Sequence, residues 1–263
     1  MGSARTKAAL LWLSALLPYL IFAWAAGTFE RNAFYLLAAL SAVLAFWHAI
    51  LPRRLAYDLG FLVIAAAPFI TRVFNRIYHS PDPHLRVDVL GHLMWIRVGL
   101  VALLALREWD PGPVSLWPNS REWRTGWLWF ATGIAPLVLV SLILHDSRFE
   151  PMSGPWWRVA AVAAGTFFGM LWVVALGEEL FFRGFVERWL LDGRGSPIGA
   201  VLVSSLLFGS AHLWFRTYPD WRRAVVASIL GLACGAAYLQ SGSIRASMVT
   251  HSLVVMTWRV FFK

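Results

Sequence analysis

The sequence predicts an all-α fold, a polytopic membrane bundle of eight or nine transmembrane helices. Of its 263 residues, 59% are hydrophobic and only 14% are charged, whereas a typical soluble domain has about 25% charged residues. The 23 Lys and Arg residues stand in short clusters between long apolar runs, as they do in loops that face anionic headgroups. The lipid bilayer therefore explains the net charge of +9, and no nucleic-acid partner is expected.

Residues 1–125 are predicted to form a first group of transmembrane helices, from apolar runs at 10–26, 33–51, 59–70 and 89–106. A transmembrane helix needs about 20 apolar residues, so the short third run leaves the total at eight or nine. The break at 109–125 contains three prolines. It is the predicted boundary with the C-terminal half, 126–263.

Residues 126–263 are predicted to form the catalytic part of one integrated membrane domain. Apolar runs at 126–144, 157–176, 197–215, 224–239 and 244–262 predict its helices. The sole cysteine, Cys234, falls inside one of these runs. One cysteine cannot form an intramolecular disulfide, and no cysteine-based metal site is expected.

The helix that continues from 157–176 carries Glu178, Glu179 and Arg183. Ionisable groups at membrane depth are costly and by default mark function. Glu179 and Arg183 stand four residues apart and can pair on one helix face, whereas Glu178 points about 100° away. Glu178 is therefore the first candidate for a general base. The alternative is that these charges lie near the membrane edge and have only a structural role.

Two further predicted spans each carry a histidine in apolar sequence. Phe208 and His212 stand four residues apart on the first, and Ser247 and His251 stand four apart on the last. A single intramembrane histidine is more often a helix-to-helix hydrogen bonder than a catalyst. Three helices that each present such a group indicate a shared site, because each group needs a polar partner.

These motifs, Glu178-Glu179-x-x-x-Arg183, Phe208-x-x-x-His212 and His251, resemble those of the CPBP family of intramembrane proteases. The family includes CAAX prenyl endopeptidases and bacteriocin-processing enzymes. The resemblance implies a glutamic-type protease without a cofactor or metal, located in the bacterial inner membrane. Its substrate would be a membrane-anchored protein or peptide, with or without a lipid group.

The resemblance also implies roles for these residues. Glu178 and His212 would activate the water that attacks the scissile carbonyl, and His251 would stabilise the oxyanion; Glu179, Arg183 and Phe208 would support them. The family's last motif continues with Asn or Asp, where this chain has Val255. Ser247, one turn before His251 on the same face, is the predicted substitute donor.

Two alternative functions remain open from the sequence. One carboxylate and two histidines match a zinc-protease ligand set, although the chain has no His-Glu-x-x-His motif. Val255 favours the second alternative, a non-enzymatic scaffold or immunity protein of the same fold.

Overall fold

The computed structural model describes residues 3–80, 87–108, 117–193, 196–216 and 218–263. The structure is 83% helical, and the described residues form no strands, which confirms the predicted all-α bundle. Contacts divide the chain into two compact units, Met1–Asp110 and Pro111–Lys263. The division falls inside the predicted break at 109–125, of which residues 109–116 lie outside the described residues.

The first unit holds five helices among its described residues. They are α1 (Ala4–Ala26), α2 (Arg31–Ile50), α3 (Leu55–Thr71), α4 (Val73–Ile77) and α5 (Asp88–Leu106). The second unit holds α6 (Ser120–Ile143), α7 (Trp156–Asp192), α8 (Pro197–Trp214), α9 (Trp221–Ser241) and α10 (Ile244–Phe261).

Seven of the described helices are long and apolar enough to cross a membrane. The other two of the nine predicted spans are also helical. The apolar part of α3 covers only Ala56–Pro68, which is too short to cross a bilayer unless the bilayer thins locally. The last helix, α10, has 18 residues but carries polar side chains along its length and is largely buried.

Helix α7 is 37 residues long and departs twice from regular α geometry. Wider π-helical turns cover Met170–Val174 and Leu180–Glu187, and a short α-helical segment, Ala175–Glu179, lies between them. A π turn changes the direction in which later side chains point and often occurs at functional sites. Both glutamates of the predicted motif stand on the segment between the two π turns.

Small residues allow α9 to lie close to its neighbours. A Cβ atom at Gly231 would come within 2.9 Å of the Ser205 Cα atom of α8, and one at Gly209 would meet the Ser228 hydroxyl at 1.9 Å. Close approach at small residues is how membrane helices gain packing energy. It accompanies the packing of α8 and α9 against the Leu180–Glu187 turn of α7, which directly follows the two glutamates.

A buried ion pair joins α6 to α10 at the start of each helix. The Glu122 Oε1 atom accepts hydrogen bonds from the Arg245 guanidinium at 2.7 and 3.0 Å. Glu122 also caps its own helix, because its carboxylate accepts from the Asn119 backbone N–H while the Asn119 side chain accepts from the N–H of Glu122. This pair fixes the end of α10 that leads to His251.

Candidate active site

Glu179 and Arg183 form a fully buried ion pair within α7. The distance from Arg183 Nε to Glu179 Oε2 is 3.2 Å, and neither side chain is exposed. Arg183 Nη2 also donates to the Gly231 carbonyl of α9 at 2.8 Å. The guanidinium lies over the Phe208 ring, 4.9 Å from its centroid, a cation–π contact. Arg183 therefore joins α7, α8 and α9.

His251, which stands on α10, hydrogen-bonds to the same Glu179 carboxylate. Its Nδ1–H donates to Glu179 Oε1 at 2.8 Å, between residues 72 positions apart in the sequence. The sequence predicted only the Arg183 partner for Glu179. Because the carboxylate holds Nδ1, the opposite nitrogen, Nε2, is directed away from it, and Nε2 lies 3.9 Å from Glu178 Oε2.

Glu178 differs from its neighbour in exposure and in partners. Its side chain is 34% exposed, whereas that of Glu179 is fully buried. Its Oε2 atom is buried and accepts no hydrogen bond from the described residues. Glu178 is thus the carboxylate of the pair that can bind a water molecule or a substrate.

His212 stands at the end of α8, where the chain changes from α-helix to a 3-10 turn. Its Nδ1–H donates to the Phe208 carbonyl at 2.9 Å, which leaves Nε2 as an acceptor. The Phe208 ring contacts both imidazoles, with centroid distances of 4.7 Å to His212 and 5.7 Å to His251. Among the described residues, His212 makes no hydrogen bond or ion pair with Glu178.

Ser247 is buried, and its hydroxyl donates to the Cys234 carbonyl of α9 at 2.7 Å. A hydroxyl has one proton to donate, so here Ser247 joins α10 to α9. Its role as an oxyanion donor stays a prediction, and that role requires this hydrogen bond to break.

On the same face of α10 as His251 and Val255 stands Trp258, which packs against the apolar cluster that contains Phe208. Its indole N–H is buried and has no acceptor among the described residues. Long helix side chains lean toward the N-terminal end of the helix. In this structure the Trp258 ring stacks on that of Phe262, which directly follows α10, with ring centroids 5.0 Å apart.

Two buried groups near the site were missed by the sequence analysis. Cys234 is fully buried on α9 and hydrogen-bonds through its Sγ to the Ser247 carbonyl at 3.7 Å. Glu187, two turns after Glu179 on α7, is also fully buried. The sequence places Glu187 near the polar end of its helix, and only the packing of α9 at Gly235 buries it.

Glu179, Cys234 and His251 are also the residues that could hold a metal ion in the described part of the chain, since each offers a ligand atom within 4.8 Å of the others. The chemistry of the set opposes a divalent ion. The Glu179 carboxylate already binds the Arg183 guanidinium and the His251 N–H, and a second cation there would be repelled.

Substituting Glu187 with glutamine is expected to leave the unfolding temperature unchanged or to raise it. Neither carboxylate oxygen of Glu187 has a hydrogen bond of good geometry in the described residues, and the charge of Glu179 acts on it against that of Arg183. Because burying a carboxylate is costly, a neutral amide should be tolerated at this position. Thermal unfolding in detergent measures the effect. A loss of several degrees would show that Glu187 has a stabilising partner and would contradict this interpretation.

The second unit thus defines an integral, multi-pass membrane protein with a carboxylate, arginine and histidine cluster inside its helix bundle. Residues 160–257 match the family model described as Type II CAAX prenyl endopeptidase Rce1-like. This match confirms, over that segment, the resemblance to the CPBP family. It supports an intramembrane CAAX-type protease at the level of the family. No significant match was found among curated proteins or solved structures.

Proposed function

We propose that the protein is a glutamic-type intramembrane endopeptidase, which hydrolyses a peptide bond of a membrane-anchored protein or peptide in the bacterial inner membrane. The observation that carries this proposal is the contrast between the two adjacent glutamates. Glu179 is buried and bound by Arg183 and His251, while Glu178 is half-buried with an oxygen that accepts no hydrogen bond from the described residues. Glu179 therefore holds the helices of the site together, and Glu178 is available to act as the general base.

Glu178 and His212 are the proposed pair that activates water. General bases must accept a proton, and both side chains have an acceptor available: Glu178 Oε2, and the Nε2 atom of His212 left by its bond to Phe208. In the proposed site, the attacking water lies between the two side chains and hydrogen-bonds to both.

His251 is the proposed oxyanion donor. A donor at Nε2 requires the doubly protonated imidazolium, because Nδ1–H already donates to Glu179. The Glu179 carboxylate accepts the hydrogen bond from Nδ1–H and so fixes the orientation of the ring. Glu179 thereby acts through His251, and Arg183 holds Glu179 in position.

The proposed reaction is a hydrolysis. The water oxygen attacks the scissile carbonyl carbon while its proton passes to Glu178, with His212 accepting a hydrogen bond from the same water. Negative charge develops on the carbonyl oxygen, which His251 Nε2–H stabilises. The proton then passes from Glu178 to the leaving amine and the C–N bond breaks. The carboxylic acid formed gives its remaining proton to the amine, so a carboxylate and an ammonium group are released.

The test is cleavage of a membrane-anchored peptide library, with and without lipid groups, by the purified full chain in vesicles. Cleavage by the wild type and none by Glu178→Ala would support the proposal. If the wild type cleaves nothing but Val255→Asn cleaves, the protein is a non-enzymatic relative. If a strong chelator stops cleavage and zinc restores it, the glutamic mechanism is wrong.

Because Val255 replaces the Asn or Asp of the family motif, the second oxyanion donor must come from another residue. The Trp258 indole N–H is the proposed second donor. The support for this is that its buried N–H has no acceptor among the described residues and that it stands on the same face of α10 as His251. Trp258→Phe is expected to lower kcat about tenfold to a hundredfold, somewhat less than the loss of a preorganised donor. KM for a cleaved peptide should change little.

Ser247→Ala is the matched variant on the same face of α10. If Trp258 is the donor, Ser247→Ala should reduce the thermal stability, because it removes the bond to the Cys234 carbonyl, and leave kcat within a few-fold. A fall in kcat for Ser247→Ala, with none for Trp258→Phe, would instead assign the role to Ser247.

A further inference from the structure

An arginine stands half way along α5 in the first unit. Arg97 is the tenth residue of the 19-residue helix Asp88–Leu106, about 13 Å from either end at 1.5 Å per residue. Its partner Ser14 is similarly near the middle of α1, Ala4–Ala26. A charge at this depth is costly, so arginines inside spans usually face a bundle interior and pair with an acid.

Arg97 is exposed instead. Its Nη2 donates to the Ser14 hydroxyl at 3.0 Å, but no carboxylate of the described residues forms an ion pair with it. A guanidinium has five N–H donors, and bilayer hydrocarbon offers no acceptor. Arg183, the buried arginine of the other unit, has a carboxylate and a backbone carbonyl as partners. Within the described residues, Arg97 is therefore an exposed charge without an ion-pair partner.

The surface around Arg97 is an apolar ridge. Leu90, Leu93 and Val101 are all exposed, and with Arg97 they follow spacings of three, four and four residues along the α-helical part of α5, which precedes its π-helical turn Ala102–Leu106. This spacing places them along one side of a helix and is the pattern by which a second helix packs alongside at a small crossing angle. The ridge therefore has a shape on which a second helix can pack, and it carries a cation at its centre.

We infer that this ridge is a docking surface for a transmembrane helix of a partner protein that carries Asp or Glu near its midpoint. The carboxylate would accept from the N–H groups of Arg97 that Ser14 leaves free, and the apolar residues on either side would pack on the ridge. A second copy of this chain fits less well. In the described spans, the carboxylates away from helix ends are Glu178, Glu179 and Glu187, and these are buried or half-buried in the second unit.

The experiment uses the full chain in lipid vesicles and three labelled model helices. Each is a Leu-Ala helix of about 20 residues with Glu, Gln or Leu at its midpoint. Energy transfer between protein and peptide measures binding. The wild type is expected to bind the Glu peptide about tenfold more tightly than the other two.

The Arg97→Leu variant should bind all three peptides with equal affinity. The control variant Arg31→Leu, changed at the first residue of α2, should keep the preference for the Glu peptide. Thermal unfolding is the folding control: Arg97→Leu should be at least as stable as the wild type, because it removes a charge from the lipid-facing surface. A structural role for Arg97 would instead make this variant less stable.

Equal binding of the three peptides by the wild type would overturn the inference. So would a preference for the Glu peptide that survives in Arg97→Leu. Self-association of the full chain that is lost in Arg97→Leu would assign the ridge to a second copy and likewise overturn the inference. These outcomes are independent of whether the protein cleaves peptides.

Discussion

Replacing Glu178 with glutamine is expected to lower kcat by roughly 100- to 10,000-fold without lowering the unfolding temperature. Glutamine keeps the size of the side chain but cannot accept the proton of the attacking water. The fold does not depend on this carboxylate, since the Oε2 atom accepts no hydrogen bond from the described residues and the side chain is 34% exposed. Turnover of a peptide identified from the library, together with thermal unfolding, measures both effects.

Glu187→Gln is the matched control, because it makes the same substitution two turns after Glu179 on the same helix. It should retain activity within a few-fold. If Glu178→Gln also retained wild-type kcat, Glu178 could not be the base. If it unfolded at a clearly lower temperature, the separation between a catalytic and a structural glutamate would be wrong.

Replacing Glu179 or Arg183 with glutamine is expected to reduce the free energy of unfolding by about 3–5 kcal/mol, the usual cost of breaking a buried ion pair from one side. Both side chains are fully buried. Glu179→Gln leaves the Arg183 guanidinium with only the Gly231 carbonyl and the Phe208 ring. Arg183→Gln leaves the buried Glu179 carboxylate without its cation. Denaturant or thermal unfolding in detergent measures the change.

Activity should fall in both variants as well. Glu179→Gln removes the charge that holds the His251 Nδ1–H, and Arg183→Gln removes the cation that holds the Glu179 carboxylate in position. A double-mutant cycle between Glu179→Gln and His251→Gln separates this contact from general destabilisation. We expect the two substitutions to be clearly non-additive in both stability and kcat. Additive effects, or stability equal to that of Glu178→Gln, would contradict the structural role of Glu179.

The sequence by itself determined the helices and the local pair of the site. Apolar runs of near-membrane length predict where helices lie, since the bilayer requires the backbone to be hydrogen-bonded within each segment. All nine predicted spans are helical in the structure. The Glu179–Arg183 pair also follows from sequence alone, because residues four apart meet on any helix. The two histidine motifs were predicted as members of a shared site because each intramembrane polar group needs a polar partner.

Only the tertiary structure decided the partners that these groups take from other helices. The π turns on either side of Glu178 and Glu179 change where later side chains point, so an ideal helix could not place Glu187. The bond from His251 to Glu179 and that from Ser247 to Cys234 join separate helices. Periodicity fixes which residues share a face of one helix, but the rotation of each helix against its neighbours depends on close contacts such as that at Gly231. Those contacts form only when the helices pack.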